Sequence, residues 1–395
     1  MSRGFVNPGA FTTLVVARII YAANFYNIAA VFTLIAADFN DNVAGLGLLS
    51  SGFLLGIGAF QIPGGVFAAN EGPRKAAAFG TLLASSAVTV SALAPALGYL
   101  VLLRFVVGVG MAFVFGPGIA LTAKYFKKGQ ESLAVGIYNS TFSLGSVIGL
   151  SAWAVLAVAV GWRPAILAGG IGGVVTGLML LYYIPSDPDP AGFRMSRSEL
   201  KSILLDRRLL LMGFGVLGMN TALNIVNTFI VYYLEVNLAL APLSAGLVAS
   251  LTWASGFLVS LFTGRSYDRA KHPRALFLAA ATSSSVGVAM ISYPNPAASV
   301  AGAVLVGGAV GIGSTVAFSI ARDVAKDHPR LESLAIAWVN TIHYFGSFWS
   351  TLLFSYLALS LGYESAWVVV GAVLFPFVLP LMLVRASQTR PSSQV

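Results

Sequence analysis

Three side chains are out of keeping with the segments that carry them. Arg18 and Arg104 lie inside long apolar runs, and His343 lies inside another. A charged side chain deep in an apolar helix costs about 2.5–3.5 kcal/mol on insertion scales, so such residues usually face a cavity or a partner. The chemistry an arginine offers there is attraction of an anion, or one half of a gating pair. Its plain alternative is snorkelling towards the nearer interface, or hydrogen bonding to carbonyls of a neighbouring helix. His343 is the one histidine in an apolar run, since His272 and His328 stand in polar stretches. With an ordinary pKa of about 6.5 it can exchange a proton near neutral pH. Its alternative is a neutral ring hydrogen-bonded between helices.

Amides and hydroxyls line up with these groups. Asn340, His343, Tyr344, Ser347 and Thr351 fall on one helical stripe. Asn220, Asn224 and Asn227 share a face of an earlier run, and three amides facing lipid would be very costly. That face must meet water, cargo or another helix. Arg18, Tyr21 and Phe25 form a further stripe, with Asn24 and Asn27 on an adjacent one.

What is missing narrows the chemistry. No Asp or Glu lies deep in an apolar run, although the chain has 14 acidic residues. There is no cysteine, so disulfides, thiol catalysis and thiolate metal sites are excluded. No HExxH, GxxxxGK[ST] or GxSxG motif is present. Metalloprotease, nucleotide-hydrolysing and serine-hydrolase chemistry therefore lack their usual supports, and the chain reads as no enzyme, with no cofactor and no metal.

The elements that must position these residues are helices in lipid. Of 395 residues, 57% are hydrophobic and 9% charged, against about 25% charged in a soluble domain. Apolar runs fall at 11–36, 43–68, 75–95, 97–123, 132–160, 163–184, 208–234, 242–264, 274–294, 296–321, 333–360 and 364–384. The expected fold is an all-α membrane protein of 12 transmembrane helices. With both termini in the cytoplasm, 20 of the 23 basic residues fall on the inside. That segregation is the positive-inside rule, and an odd number of crossings would scramble it. The net charge of +9 then belongs to the membrane face, not to a nucleic-acid partner. The first run lacks a small-residue cleavage site and reads as a retained span.

The chain also repeats itself. "ESLAVGIYNSTFSLGS" (131–146) returns as "ESLAIAWVNTIHYFGS" (332–347), with Phe142 replaced by His343. "DFN" at 38–40 echoes "EVN" at 235–237, and "PR" at 73–74 echoes "PR" at 273–274. The polar stretch 185–207 separates the copies. The expected organisation is therefore two pseudo-symmetric six-helix bundles, 1–184 and 208–385, joined by a cytoplasmic linker with a short surface helix from Ser196, and a disordered tail, 386–395. Parallel repeats of this kind place a pathway on the axis between them. "GPG" at 116–118 should kink the fourth span, and Pro376 and Pro380 should bend the last.

These features resemble the major facilitator superfamily of secondary transporters, over the whole chain. The family's G-x-x-x-D-R-x-G-R-R loop is matched by "GVFAANEGPRK" (65–75) at Gly65, Gly72 and Arg74, with Ala69 and Asn70 in place of the family's Asp and Arg. The second copy, "GRSYDRAKHPR" (264–274), matches at Gly264, Asp268, Arg269 and Arg274. The resemblance implies that these residues form a charge-relay latch, with more weight on the second copy. "RFVVGVG" from Arg104 looks like the family's R-x-x-x-G-x-G, and "QIPGG" (61–65) is similar to anion-type members.

By the same resemblance, spans 1, 4, 7 and 10 line the pathway. This adds Tyr21, Asn24, Asn27, Asn220 and Asn224 to Arg18, Arg104, Asn227, Asn340, His343 and Tyr344 as substrate-binding candidates. Proton-driven drug exporters of the family use a buried carboxylate, which is absent here. The implied function is alternating-access transport of a small, monocarboxylate-like anion across a prokaryotic cytoplasmic membrane. His343 is the group that could couple a proton, and the protein is read as a monomer. Two rival readings are export of hydrophobic neutral compounds, suggested by Phe25, Tyr26, Trp253 and Trp338, and a membrane receptor that does not transport.

Overall fold

The computed structural model describes residues 7–125, 131–186, 196–269, 273–324 and 332–380. Lipid offers a backbone no hydrogen-bonding partner, so an apolar chain satisfies itself as helix. The helices are α1 (Pro8–Phe39), α2 (Val43–Glu71), α3 (Pro73–Ser91), α4 (Leu97–Ala112), α5 (Phe115–Lys124), α6 (Glu131–Val147), α7 (Trp153–Val160) and α8 (Trp162–Tyr183). After a short α9 (Arg197–Leu204) come α10 (Arg207–Asn237), α11 (Pro242–Arg269), α12 (Pro273–Met290), α13 (Pro296–Val324), α14 (Glu332–Leu361) and α15 (Tyr363–Leu374). Eight helices of the described residues are long and apolar enough to cross a membrane, and two shorter apolar ones, Ala275–Met290 and Tyr363–Val378, accompany them.

Local chemistry sets the ends. Asn7 and Asn42 accept hydrogen bonds from the backbone N–H of Ala10 and Ala44 and so cap α1 and α2. The surface helix expected from Ser196 is α9. There Ser196 and Glu199 form a reciprocal capping box. Gly161 and Gly362, 201 residues apart, join α7 to α8 and α14 to α15 at φ 89° and 83°. Only glycine adopts that region without strain.

Two spans expected to be continuous are interrupted. The fourth ends as α4 at Ala112 and resumes as α5 at Phe115. Pro117 lacks an N–H, and its ring clashes with the carbonyl four residues back, which belongs to Phe113. The break therefore lies one turn before the GPG triplet. The fifth carries a π segment, Ile148–Ala152, between α6 and α7. The matching part of α14 is regular helix. At the chain's end, Phe375–Val378 tighten into a 3-10 turn around Pro376.

The repeat in sequence is a repeat in packing. Inside lipid, apolar surface has no drive to associate, so close backbone approach takes over. A Cβ on Gly108 of α4 would overlap the Phe53 carbonyl of α2 and lie 3.1 Å from the Gly56 Cα. Some 200 residues later, a Cβ on Gly307 of α13 would overlap the Thr252 carbonyl of α11, while Gly311 lies against Gly256. Gly108→Val is therefore expected to cost about 1–3 kcal/mol as overpacking, read as a lower thermal midpoint in detergent. An unchanged midpoint would show that α2 and α4 are not held by this contact.

Candidate functional site

Arg18 is 3% exposed and Arg104 4% exposed, so neither snorkels. Arg18 stands on α1 in a box of rings. Its guanidinium carbon lies 4.5 Å from the ring centre of Phe142, 4.7 Å from Tyr21, 4.9 Å from Tyr138 and 5.1 Å from Phe115. Each desolvated cation–π contact contributes up to about 2 kcal/mol, which lowers the insertion cost of the charge. Tyr21 offers its hydroxyl to the guanidinium, but Nε and Nη1 are buried without a hydrogen-bond partner. Arg104 of α4 stacks on Phe53 at 4.1 Å and donates from Nη2 to the Phe25 carbonyl at 3.3 Å, with Nε unpartnered. Ion pairs join Lys75 to Glu71, Arg163 to Asp38 and Arg208 to Asp206, and these involve neither arginine.

A row of rings runs between the two guanidinium groups. Phe142 meets Phe25 edge-on at 5.8 Å, and Phe25 meets Phe53 at 4.5 Å. A later helix also meets this row. Trp253 of α11 packs against Phe142 at 4.9 Å and Tyr26 at 5.6 Å, and its Nε1 has no acceptor. Beside Arg104 a cavity of about 20 Å³ is bounded by Ser50 of α2 and by Asn224 and Thr228 of α10. That is room for about one water molecule.

Polar contacts close the seam towards the α1–α2 turn. The Ser51 hydroxyl donates to the Phe348 carbonyl at 2.9 Å and lies 2.6 Å from the Thr351 hydroxyl. Thr33 of α1 donates to the Glu235 carboxylate of α10. On α11, Gly246 packs against the backbone of Leu150 and Ser151 in the π segment. Glu235 occupies the position of Asp38 in the repeat. Asp38 instead ties α1 to the start of α8, where it binds Arg163 at 2.9 Å and Trp162 at 3.2 Å. Both acids stand at the ends of apolar runs, where sequence position alone does not mark Glu235 as spanning the seam. The one available hint was a Thr at matching depth on the first helix.

The other expected site residues separate into kinds. Tyr21 directs its hydroxyl to the Met111 carbonyl at 3.4 Å. Asn24 donates to the Gly169 carbonyl at 2.9 Å and accepts from Asn27 at 3.2 Å, which ties α1 to α8. Asn227 donates to the Leu223 carbonyl and accepts from Thr252 at 2.9 Å, which ties α10 to α11. Asn220 is half-buried and bonds the Val216 carbonyl of its own helix. Asn224 faces the cavity and donates to Ser347 at 3.1 Å. Asn340 and His343 are buried on α14, and the His343 ring lies 4.0 Å from the Tyr344 ring at an interplanar angle of 40°.

Of the expected latch, Gly65 lies within α2. Arg74 donates to the Leu181 carbonyl and, at 2.8 Å, to the Ser186 hydroxyl, which fastens α3 to the end of α8. Gly264, Asp268, Arg269 and Arg274 belong to α11 and α12, and their side chains lie outside the described residues. Among the described residues no cluster of His, Asp and Glu could hold a metal ion.

Fold and site together define a multi-pass helical membrane protein with buried cations beside an aromatic seam. The chain belongs to the Major Facilitator Superfamily, whose model matches residues 14–351. It is 31% identical over 179 residues to the probable sulfoacetate transporter SauU of Cupriavidus necator, covering 45% of this chain and 41% of that protein. It is 29% identical over 158 residues to probable anion transporter 5 of Arabidopsis thaliana, covering 40% and 37%. With the probable L-galactonate transporter of Escherichia coli it shares 23% identity over 239 residues, covering 54% and 52%. The chain thus spans only about two fifths to one half of these relatives' lengths. Among solved structures, the nucleoside transporter NupG superposes with a TM-score of 0.76 at 12% identity, over 94% of this chain and 99% of that one. A bacterial homologue of the lysosomal transporter Spinster gives 0.69 at 16% identity, over 93% and 94%. These two likenesses show the fold.

Proposed function

We propose that the protein is a secondary active transporter that moves a small organic anion across the cytoplasmic membrane by alternating access. Arg18 and Arg104 supply the attraction. The observation that carries this reading is the pair of buried guanidinium groups that keep N–H donors unpartnered next to the seam, with no ion-pair partner among the described residues. A buried charge without a counter-charge is retained at a stability cost, and a visiting anion is the group that removes that cost. The relatives described as sulfoacetate, anion and L-galactonate transporters favour the same class of cargo.

The topology that goes with this reading has twelve crossings and two six-helix halves. It counts α4 with α5 as one crossing and α6, the π segment and α7 as another, with both termini in the cytoplasm. The closed seam near the α1–α2 turn is then the external gate, and His343 is the group that couples a proton. Export of neutral hydrophobic compounds is the second reading, favoured by the ring contacts of Tyr26, Phe142 and Trp253.

Counterflow in proteoliposomes under imposed pH gradients separates them. Labelled carboxylates are expected to accumulate and uncharged analogues are not, and His343→Gln should remove the dependence on the gradient. Full anion uptake by Arg104→Gln would end the anion reading.

A further inference from the structure

On the anion-transport reading above, we propose that the cargo is a monoanion with a flat, unsaturated body, of the aryl carboxylate class, rather than a polyhydroxy acid or an inorganic oxyanion. Three features of the site carry this.

The first is where the cations stand. Arg18 is boxed by Phe142, Tyr21, Tyr138 and Phe115, whereas Arg104 contacts Phe53 and the Phe25 carbonyl. The two share no neighbour among these, and the ring row Phe142–Phe25–Phe53 runs between them. No neighbour in this set bridges the two guanidinium groups. Each guanidinium instead offers a separate place for one charged head, beside rings.

The second is what opening uncovers. When the two groups of helices part, Trp253 leaves Phe142 and Tyr26. Ring faces and edges that were mutually covered become bare on both sides, and a flat cargo can take the place of the lost ring on either. The indole Nε1, which has no acceptor in the closed seam, is then a donor on the same surface.

The third is what is unavailable. A polyol needs a partner for every hydroxyl it buries, and each one left unpaired costs roughly tenfold or more in affinity. Most amides near the seam already have partners, and Asn224, on the cavity, donates to Ser347. Asn24 is held by Gly169 and Asn27, and Asn227 by Leu223 and Thr252. Asn27 Oδ1 is the one acceptor of that set left without a donor.

The test is calorimetric titration of the purified, folded protein with benzoate, acetate, gluconate, phosphate and uncharged benzamide. Benzoate is expected to bind at least about tenfold tighter than acetate, which is about 1.4 kcal/mol, and tighter still than gluconate or phosphate. Benzamide should not bind. Trp253→Ala should bring benzoate down to the level of acetate. Trp253→Phe keeps the ring and the packing, so it should weaken both acids by one common factor. Gluconate or phosphate binding tighter than benzoate, or acetate binding equally well, overturns the substrate class and leaves anion transport standing. Benzamide binding as tightly as benzoate, or no anion binding to folded protein, overturns both.

Discussion

Arg18→Leu is expected to abolish anion uptake while leaving the protein as stable as before, or more so. The guanidinium sits among four rings with two nitrogens unpartnered. Replacing a buried charge by an apolar side chain of fitting size is often neutral or stabilising, because desolvation is no longer paid. Leucine in a box of rings meets that condition. On the proposed anion-transport reading, what is lost is the hydrogen bonding of an anion, at about 1.5–3 kcal/mol per charge-assisted bond. Loss of two such bonds predicts at least about a hundredfold fall in uptake. Arg18→Lys should not restore it, since an ammonium lacks the planar fork that can stack on rings and donate in their plane at once. The measurements are proteoliposome uptake and the thermal midpoint in detergent. A midpoint that drops by several degrees would instead make Arg18 a structural residue, and normal uptake would remove it from the pathway.

Gly47→Trp is expected to stop transport without stopping binding. Gly47 of α2 lies against Ser355 and the Thr351 carbonyl of α14, one turn from the Ser51–Thr351 contact. A Cβ there would already overlap the Ser355 hydroxyl and lie 3.2 Å from the Thr351 oxygen. An indole cannot be accommodated, and rigidly packed helices respond by separating rather than by deforming. That end of the seam is held open, and alternation stops. Because the chain has no cysteine, Thr228→Cys in this background places a single thiol on the cavity beside Arg104. Its maleimide labelling should rise at least about tenfold over Thr228→Cys alone, as expected when a buried thiol gains solvent access. Turnover should fall by about a hundredfold or more, because binding without the conformational change gives no cycle. Unchanged labelling would mean that α2 and α14 are not the moving contact.

Both expectations rest on features legible in the residues to different degrees. The apolar runs, the burial of Arg18 and Arg104 and the helix from Ser196 follow from rules that act locally: lipid demands helix, isolated charge demands shelter, and a Ser-x-x-Glu box starts a turn. The 201-residue echo was equally plain, and the matched glycine contacts of α2 with α4 and α11 with α13 are its packing counterpart. The π segment at Ile148–Ala152 was not legible, because the parallel stretch of α14 has similar composition and stays regular. The break before Pro117 was foreseen in kind and displaced by one turn, since a proline acts on the carbonyl behind it.

The amides divide most sharply. Asn24, Asn27, Asn224 and Asn227 are alike as residue types, and each lies on a face that must avoid lipid. Helical periodicity states that much and no more. Whether such a face meets cargo or a neighbouring helix depends on which carbonyl or hydroxyl stands opposite, and that comes from residues 25 to 145 positions away: Gly169 for Asn24, Thr252 for Asn227, Ser347 for Asn224. Phe142 shows the converse. As a residue type it announced nothing beyond an apolar substitute for His343, yet it touches both Arg18 and Trp253. The sequence by itself determined the helices, their repeat and the presence of sheltered cations, because those depend on solvent and on neighbours along one helix. Only the tertiary structure decided which polar groups are spent on packing and which rings face the seam, because that depends on helices far apart in the chain meeting at one depth.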